Sequence, residues 1–169
     1  MKQDLDNMFA LLDQLVRLHE QMIATLDRQL AAARAADSEG MRQCQGQTEP
    51  LVRQVAQAEA QRRTLSRDLA IQAGIDGGPV GRGVTASQLA AALPEPQRSR
   101  LLQQAGLLRQ RVQEVDRLNK VLADVSRRIL LHLKSAYEMV ARVAGTTGVY
   151  AANGRLRQAQ RSTVFEAVG

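Results

Sequence analysis

The residues that could do chemistry are two histidines and one cysteine. His19 falls on the apolar stripe of a predicted first helix, where a hydrogen-bonded imidazole inside the protein is the favoured interpretation. His132, in RRILLHLKSAYE, sits next to an apolar seam, so histidine phosphotransfer is kept as a distant alternative. Cys44 occupies a seam position, which favours a buried small hydrophobe over a nucleophile. As the only cysteine it cannot form an internal disulfide.

Other signatures of catalysis or metal binding are missing from the sequence. No carboxylate and histidine recur at metal-ligand spacing, and the Glu-x-x-His signature of di-iron bundles is absent. The stretch GIDGGPVGRG lacks the Lys-Ser/Thr ending of a phosphate-binding loop and follows a helix, so we predict a flexible connector over 74–83 with no assigned role. We therefore predict a binding or structural protein that is not an enzyme and uses no cofactor or metal.

Composition points to helices that pack through aliphatic seams. Hydrophobic residues make up 44 % of the chain and aromatic residues only 2 %. The sequence has no long uncharged apolar run, and MKQDLDNMFALLDQL is not a secretory signal, so we predict a cytoplasmic protein without stable membrane insertion. The net charge is −1 over residues 1–74 and +7 over residues 75–169. Since stacking aromatics are not interleaved with the basic residues, no nucleic-acid partner is predicted.

Apolar periodicity predicts two long helices in the first half, over about 4–36 and 41–73. Ser38 is a candidate N-cap of the second helix. The second stripe keeps its phase across Pro50, which favours a kink, or a restart capped by Thr48, over a chain reversal.

The second half contains a short helix and a very long one. Thr85 and Gln88 have the spacing of a capping box, which predicts a short helix over 86–93 before Pro94 and Pro96 stop it. Six heptads in phase then predict one helix over 97–144, about 48 residues and roughly 70 Å long.

Polar residues interrupt the apolar seam of this long helix. The predicted polar seam positions of the whole chain are His19, Arg62, Asn119 and Ser126. A lone polar residue at such a position commonly sets register. Three further apolar residues are expected to be exposed and to broaden the stripe: Leu118, Val121 and Val125.

The predicted fold class is all-α, an elongated antiparallel helical bundle or coiled coil with one very long C-terminal helix and a short helix in the connecting loop. The body covers 1–144. A basic amphipathic tail over 145–169 has a weak helical pattern, and we expect it to become ordered only against a surface, either that of its own bundle or that of a partner.

The order of these segments resembles the FlgN family of flagellar type III export chaperones. The resemblance covers nearly the whole chain, from LLDQLVRLHEQMIATL through LVRQVAQAEAQRRTLSRDL, TASQLAAAL and VQEVDRLNKVLADVSRRIL to VYAANGRL. Its more specific parts are Arg62 or Arg63, Asn119 in LNKVL, and the closing Tyr150-x-x-x-Gly154. The glycine-rich loop around 77–83 has no counterpart in this pattern.

The resemblance implies a cytoplasmic chaperone that binds the C-terminal helical ends of hook-associated flagellar subunits. Such a chaperone prevents premature assembly and delivers the subunits to the export apparatus. The resemblance places subunit contact in the tail, and the tail's pattern picks out these predicted partner-binding residues: Tyr150, Asn153, Gly154, Leu156, Ala159, Val164, Phe165 and Val168. Tyr150 and Phe165 are the expected anchors, because aromatic side chains bury much area for little lost freedom.

One alternative from another class stays open. The long helix could pair across a homodimer and serve as a structural coiled-coil scaffold without a client. In that case the chain would form a large, obligate apolar interface through this helix.

Overall fold

Four helices in the predicted order make up the structure, and the all-α class is confirmed. The computed structural model describes residues 1–75 and 83–146, with side chains to residue 143. The helices are α1 (Lys2–Arg34), α2 (Ser38–Gln72), α3 (Ala86–Ala91) and α4 (Gln97–Thr146). Within these two ranges there is no β-strand.

The chain divides into two compact units, Met1–Val125 and Ser126–Gly169, at a boundary inside α4 that the sequence pattern did not predict. In the first unit, α1 and α2 run antiparallel. Two hydrogen bonds show this: Gln72 Nε2 at the end of α2 donates to Asp4 Oδ2 at the start of α1, and Arg28 donates to Gln47 at the opposite ends.

The first part of α4 runs parallel to α1. Gln104 donates to Asp13, and Arg111 donates to Glu20, each pair being separated by 91 residues in the chain. Because the separation is constant over one heptad, the two helices keep one register, and Arg34 at the end of α1 is level with Val125. The first unit is therefore an up-down-up arrangement in which α2 is antiparallel to both neighbours.

Three apolar clusters form the core of the first unit. The largest joins α1, α2, α3 and the start of α4 around Met8, Leu69, Leu89 and Leu101. A second joins Leu15 and Leu18 to Ala58 of α2, and a third joins Leu26 to Val115 and Leu118 of α4. At roughly 25 cal/mol per Å² of apolar surface, burial of these aliphatic side chains is the main term that holds the helices together.

The turn between α1 and α2 differs from its prediction. Asp37, not Ser38, caps α2, since its carboxylate accepts a hydrogen bond from the Gly40 backbone N–H at 2.9 Å. A Cβ atom on Gly40 would lie 2.3 Å from Asp37 Oδ2, so glycine leaves the space that this cap occupies. With the cap one residue earlier, α2 begins at Ser38 and not at residue 41.

Pro50 lies inside an uninterrupted α2. Thr48 does not cap a new helix, because its hydroxyl donates to the Cys44 carbonyl one turn earlier at 3.0 Å. The preserved phase of the apolar stripe correctly predicted that the chain does not reverse here.

The capping box of α3 is present as predicted. The Gln88 backbone N–H donates to Thr85 Oγ1, and the Thr85 backbone N–H donates to Gln88 Oε1. At the other end, the Arg98 guanidinium donates to the carbonyls of Ala90 and Ala91. Both ends of this short helix are therefore held by side chains.

The seam of α4 departs from the predicted pattern at the heptad position of Asn119. Leu118 is buried, with 3 % of its surface exposed, whereas the predicted seam residue Asn119 is exposed. Val112, one heptad before Asn119, is 45 % exposed. Residues 115 and 122 belong to both possible seams, and burial of a leucine is more favourable than burial of an unpaired amide. The expectation that Leu118 would be exposed was therefore wrong, while Val121 and Val125 are half-buried.

Candidate functional site

The three residues that could do chemistry have different surroundings in the structure. His19 is buried in the first unit, with Nδ1 2.7 Å from the Leu15 carbonyl oxygen. Cys44 is a buried free thiol, and His132 is an exposed residue of α4 in the second unit. The carbonyl partner and the burial of His19 give it a packing role, and these three side chains do not form a common site within the first unit.

Arg62, a predicted polar seam position, lies on α2, where it pairs with Glu59. Its guanidinium donates to both carboxylate oxygens of Glu59 at 2.9–3.1 Å, and both side chains are partly exposed. Arg63 approaches the same carboxylate at 3.9 Å. Ser126, the last predicted polar seam position, is half-buried.

A mainly apolar hollow of about 260 Å³ lies beside this ion pair in the first unit. Met8, Leu89 and Leu101 contribute to its lining from three helices. Glu59 and Arg62 also line it, but their charges are already paired with each other. The hollow therefore has apolar walls, and the charged groups at its edge already have partners. These features do not identify a particular ligand.

Residues 1–75 and 83–146 contain no cluster of three metal-ligating side chains. Over the same described residues, no helix has the length and apolarity needed to cross a membrane.

The most exposed apolar surface lies on the second unit's part of α4. Leu133, Tyr137 and Val140 expose 61 %, 75 % and 66 % of their surface. In the first unit the same helix buries Leu101, Val115 and Leu118. Single exposed apolar residues are ordinary on protein surfaces, but a contiguous set of them marks a binding surface.

Helical geometry arranges these side chains on one face. At 3.6 residues per turn, an arc about 160° wide contains only apolar residues and the small Ser126 at its middle. The apolar residues of this arc, called here the α4 apolar face, are Ile129, Leu130, Leu133, Ala136, Tyr137, Val140, Ala141 and Val143. Leu131 and Met139 are exposed as well, but they lie on the opposite, polar side.

The sequence analysis did not identify this face as a functional surface. The feature of the sequence that could have revealed this face was a difference in helix length. The predicted α4 has about 48 residues, and each of the first two predicted helices has about 33. Two shorter helices cannot cover a longer one along its whole length. The apolar pattern of α4 therefore had to include residues without a covering helix from α1 or α2.

Charged residues on α4 in the first unit pair locally. Arg117 donates to Glu114 at 2.6 Å and 2.9 Å. This guanidinium holds the pKa of the Glu114 carboxyl below its usual range, and the carboxylate in turn raises the pKa of Arg117. In the second unit Lys134 and Glu138 are 3.9 Å apart, a looser contact.

The predicted partner-binding residues of the tail all lie outside the described residues: Tyr150, Asn153, Gly154, Leu156, Ala159, Val164, Phe165 and Val168. Their roles remain predictions.

Comparison with known proteins gives one match. A family model described as FlgN protein matches residues 1–158. The matched span includes the α4 apolar face and the tail as far as Gln158, so Tyr150 and Gly154 lie inside it and Phe165 lies outside. Neither a curated protein nor a solved structure matches the chain.

Proposed function

The chain belongs to the FlgN protein family, and from that premise we propose that it is a flagellar export chaperone. Its clients are hook-associated subunits at the hook–filament junction, whose C-terminal helical ends it binds in the cytoplasm. Binding prevents premature assembly, and the chaperone then delivers its client to the type III export apparatus.

The observation that carries this proposal is the α4 apolar face. Amphipathic helical ends associate with one another through their apolar stripes, and a second apolar helix can cover such a stripe. Leu133, Tyr137 and Val140 follow the i, i+4, i+7 spacing that helix pairing uses. Each leucine or valine that becomes fully buried in the complex contributes roughly 1.5–3 kcal/mol.

Release of the client depends on the same balance of free energies. The client end loses conformational freedom when it becomes ordered, and this cost offsets part of the gain from burial. A chaperone needs this balance, since it must hold its client and later give it up. Aliphatic contacts suit that role, because they are non-directional and tolerate clients of differing sequence.

The tail is proposed to supply a second contact that client binding also requires. Tyr150 and Phe165 are the anchors predicted from the sequence, and they follow the α4 apolar face in the chain. Removal of residues 150–169 should abolish client binding and leave the helical melting curve nearly unchanged. Binding by the truncated protein at full affinity would contradict the anchor role.

A matched pair of substitutions tests the role of the α4 apolar face. Leu133→Gln changes a leucine on the face, and Leu131→Gln changes a leucine of the same 61 % exposure on the opposite side. Glutamine is a good helix former and carries no charge, so helix content and electrostatics stay constant. When each protein is titrated with the C-terminal peptide of a junction subunit, Leu133→Gln should bind the peptide at least about tenfold more weakly than the wild type.

For Leu131→Gln we expect client affinity within about twofold of the wild type, because the polar side does not contact the client. An equal loss of client affinity in Leu133→Gln and Leu131→Gln would show that the α4 apolar face has no special role in client binding. Unchanged binding in Leu133→Gln and Val140→Gln together would contradict the proposed site.

A further inference from the structure

The positive charge of the protein is concentrated in its second unit. Residues 126–169 contain seven Lys or Arg and two Asp or Glu, a net charge of +5. Residues 1–125 contain sixteen and fifteen, a net charge of +1. The first unit is therefore nearly neutral, whereas the unit with the exposed apolar surface carries almost all of the net charge.

Basic residues border the α4 apolar face, mainly along one edge. With 100° between successive residues, Lys134 and Arg127 lie beside that edge of the arc, and His132 lies beside the other. All three side chains are exposed. Long basic side chains in this position can lay their stems along an apolar surface while their charged ends reach outward.

This arrangement restricts what can cover the face. A second copy of the same segment would bring net positive charge against net positive charge, so self-pairing is disfavoured. One helix, including a client's, covers only part of an arc of about 160°, because the a/d stripe of a coiled coil is narrower. A planar surface with negative charge matches both the full width of the face and its basic edge.

We propose that the α4 apolar face also binds the surface of an anionic lipid bilayer. The segment 126–143 would lie in the plane of the interface, with Leu133 and Val140 in the boundary between headgroups and acyl chains. Lys134 and Arg127 would contact the anionic headgroups. Tyr137, near the middle of the face, places its ring in the apolar layer and its hydroxyl toward the headgroups.

This inference goes beyond client binding and does not depend on it. Its consequence for a client is competition, since one face cannot be covered by a subunit and by lipid at once. Contact with the membrane would then favour release of the client where export takes place.

Vesicle sedimentation with the full chain tests the proposal. The probes are vesicles of phosphatidylcholine alone and vesicles of one part phosphatidylglycerol to three parts phosphatidylcholine. At low salt we expect at least about tenfold stronger binding to the anionic vesicles, and this preference should fall as salt is added. Arg127→Gln and Lys134→Gln should each weaken binding about fivefold, and Leu133→Gln about tenfold or more.

Two control variants separate the face from general effects. Arg67→Gln removes one exposed charge from α2 in the first unit, and Leu131→Gln removes a leucine outside the face. Both should bind anionic vesicles within about twofold of the wild type. Loss of binding in either control to the same degree as in the face variants would overturn the proposal.

The remaining outcomes are decisive as well. Absence of binding to the anionic vesicles at low salt would overturn the inference, and so would a dimer that Leu133→Gln dissociates. If the client peptide binds while the vesicles do not, the lipid inference fails and the chaperone function stands. If the vesicles bind while the client peptide does not, the proposed function fails and the lipid inference stands.

Discussion

Gln104 Nε2 donates a hydrogen bond of 2.6 Å to Asp13 Oδ1, which joins the first half of α4 to α1 across 91 residues of chain. One heptad further along, Arg111 donates to Glu20 at 3.1 Å with the same separation. Together the two pairs hold these parallel helices in one register. The amide oxygen of Gln104, Oε1, is buried without a hydrogen-bond partner, so Asp13 is the amide's partner in the described protein.

Removal of Asp13 should therefore destabilise the first unit. In Asp13→Ala the Gln104 amide loses its acceptor in a partly buried place, and we expect the free energy of unfolding to fall by about 1–3 kcal/mol. Glu20→Ala breaks the exposed Arg111 pair and should cost at most about 1 kcal/mol. Urea denaturation of both variants measures the difference, and equal effects would show that the Gln104 pair does not hold the register.

The observed seam of α4 predicts opposite outcomes for two neighbouring residues. Leu118→Ala removes a side chain that packs against Leu26 of α1 and should destabilise the protein by about 2–5 kcal/mol. Asn119→Ala changes an exposed residue and should stay within about 0.5 kcal/mol of the wild type. Thermal or chemical denaturation checks both. A larger cost for Asn119→Ala would restore the seam expected from the heptads.

The start of α2 offers a comparison of two adjacent polar residues. Asp37→Ala removes the carboxylate that accepts from the Gly40 N–H, and we expect a loss of about 1 kcal/mol in unfolding free energy. In contrast, Ser38→Ala should have little effect, because Ser38 is the first helical residue and not the cap. Chemical denaturation of the two variants distinguishes the caps, and a larger loss in Ser38→Ala would contradict the assignment.

Acid should weaken the contact between the ends of α1 and α2. The hydrogen bond from Gln72, aided by the α-amino group of Met1, holds the pKa of Asp4 below its usual range. Because the folded state prefers the ionised carboxylate, the stabilisation is complete above the usual aspartate pKa. It is lost as the pH falls through the lower pKa of the folded state.

The side chain introduced in Asp4→Asn does not ionise in this range. This contact should therefore contribute little to the variant's loss of stability on acidification. Denaturation curves at neutral pH and near pH 3 should show a smaller acid-induced decrease for Asp4→Asn than for the wild type. The pair is exposed, so the difference should be small. An equal decrease in both proteins would show that Asp4 does not take part in the acid response.

Local features of the structure were well determined by the sequence. Thr85 and Gln88 form the predicted capping box, because both partners lie within one helical turn. Pro50 interrupts neither the apolar stripe nor α2. The sequence did not identify the candidate site, the α4 apolar face, as a functional surface. The tail residues chosen from the sequence are untested, and the exposed residues of the α4 apolar face became evident only in the structure.

The sequence by itself determined that the chain forms four helices, and which broad side of each helix is apolar, because these properties depend on residues three and four apart. Only the tertiary structure decided between Leu118 and Asn119, since that choice depends on which helix packs against α4. It also decided that α4 buries Leu101, Val115 and Leu118 but exposes Leu133 and Val140. The apolar period is the same in both stretches. An apolar stripe shows which face of a helix favours burial, but the lengths and positions of the neighbouring helices decide where that face is covered.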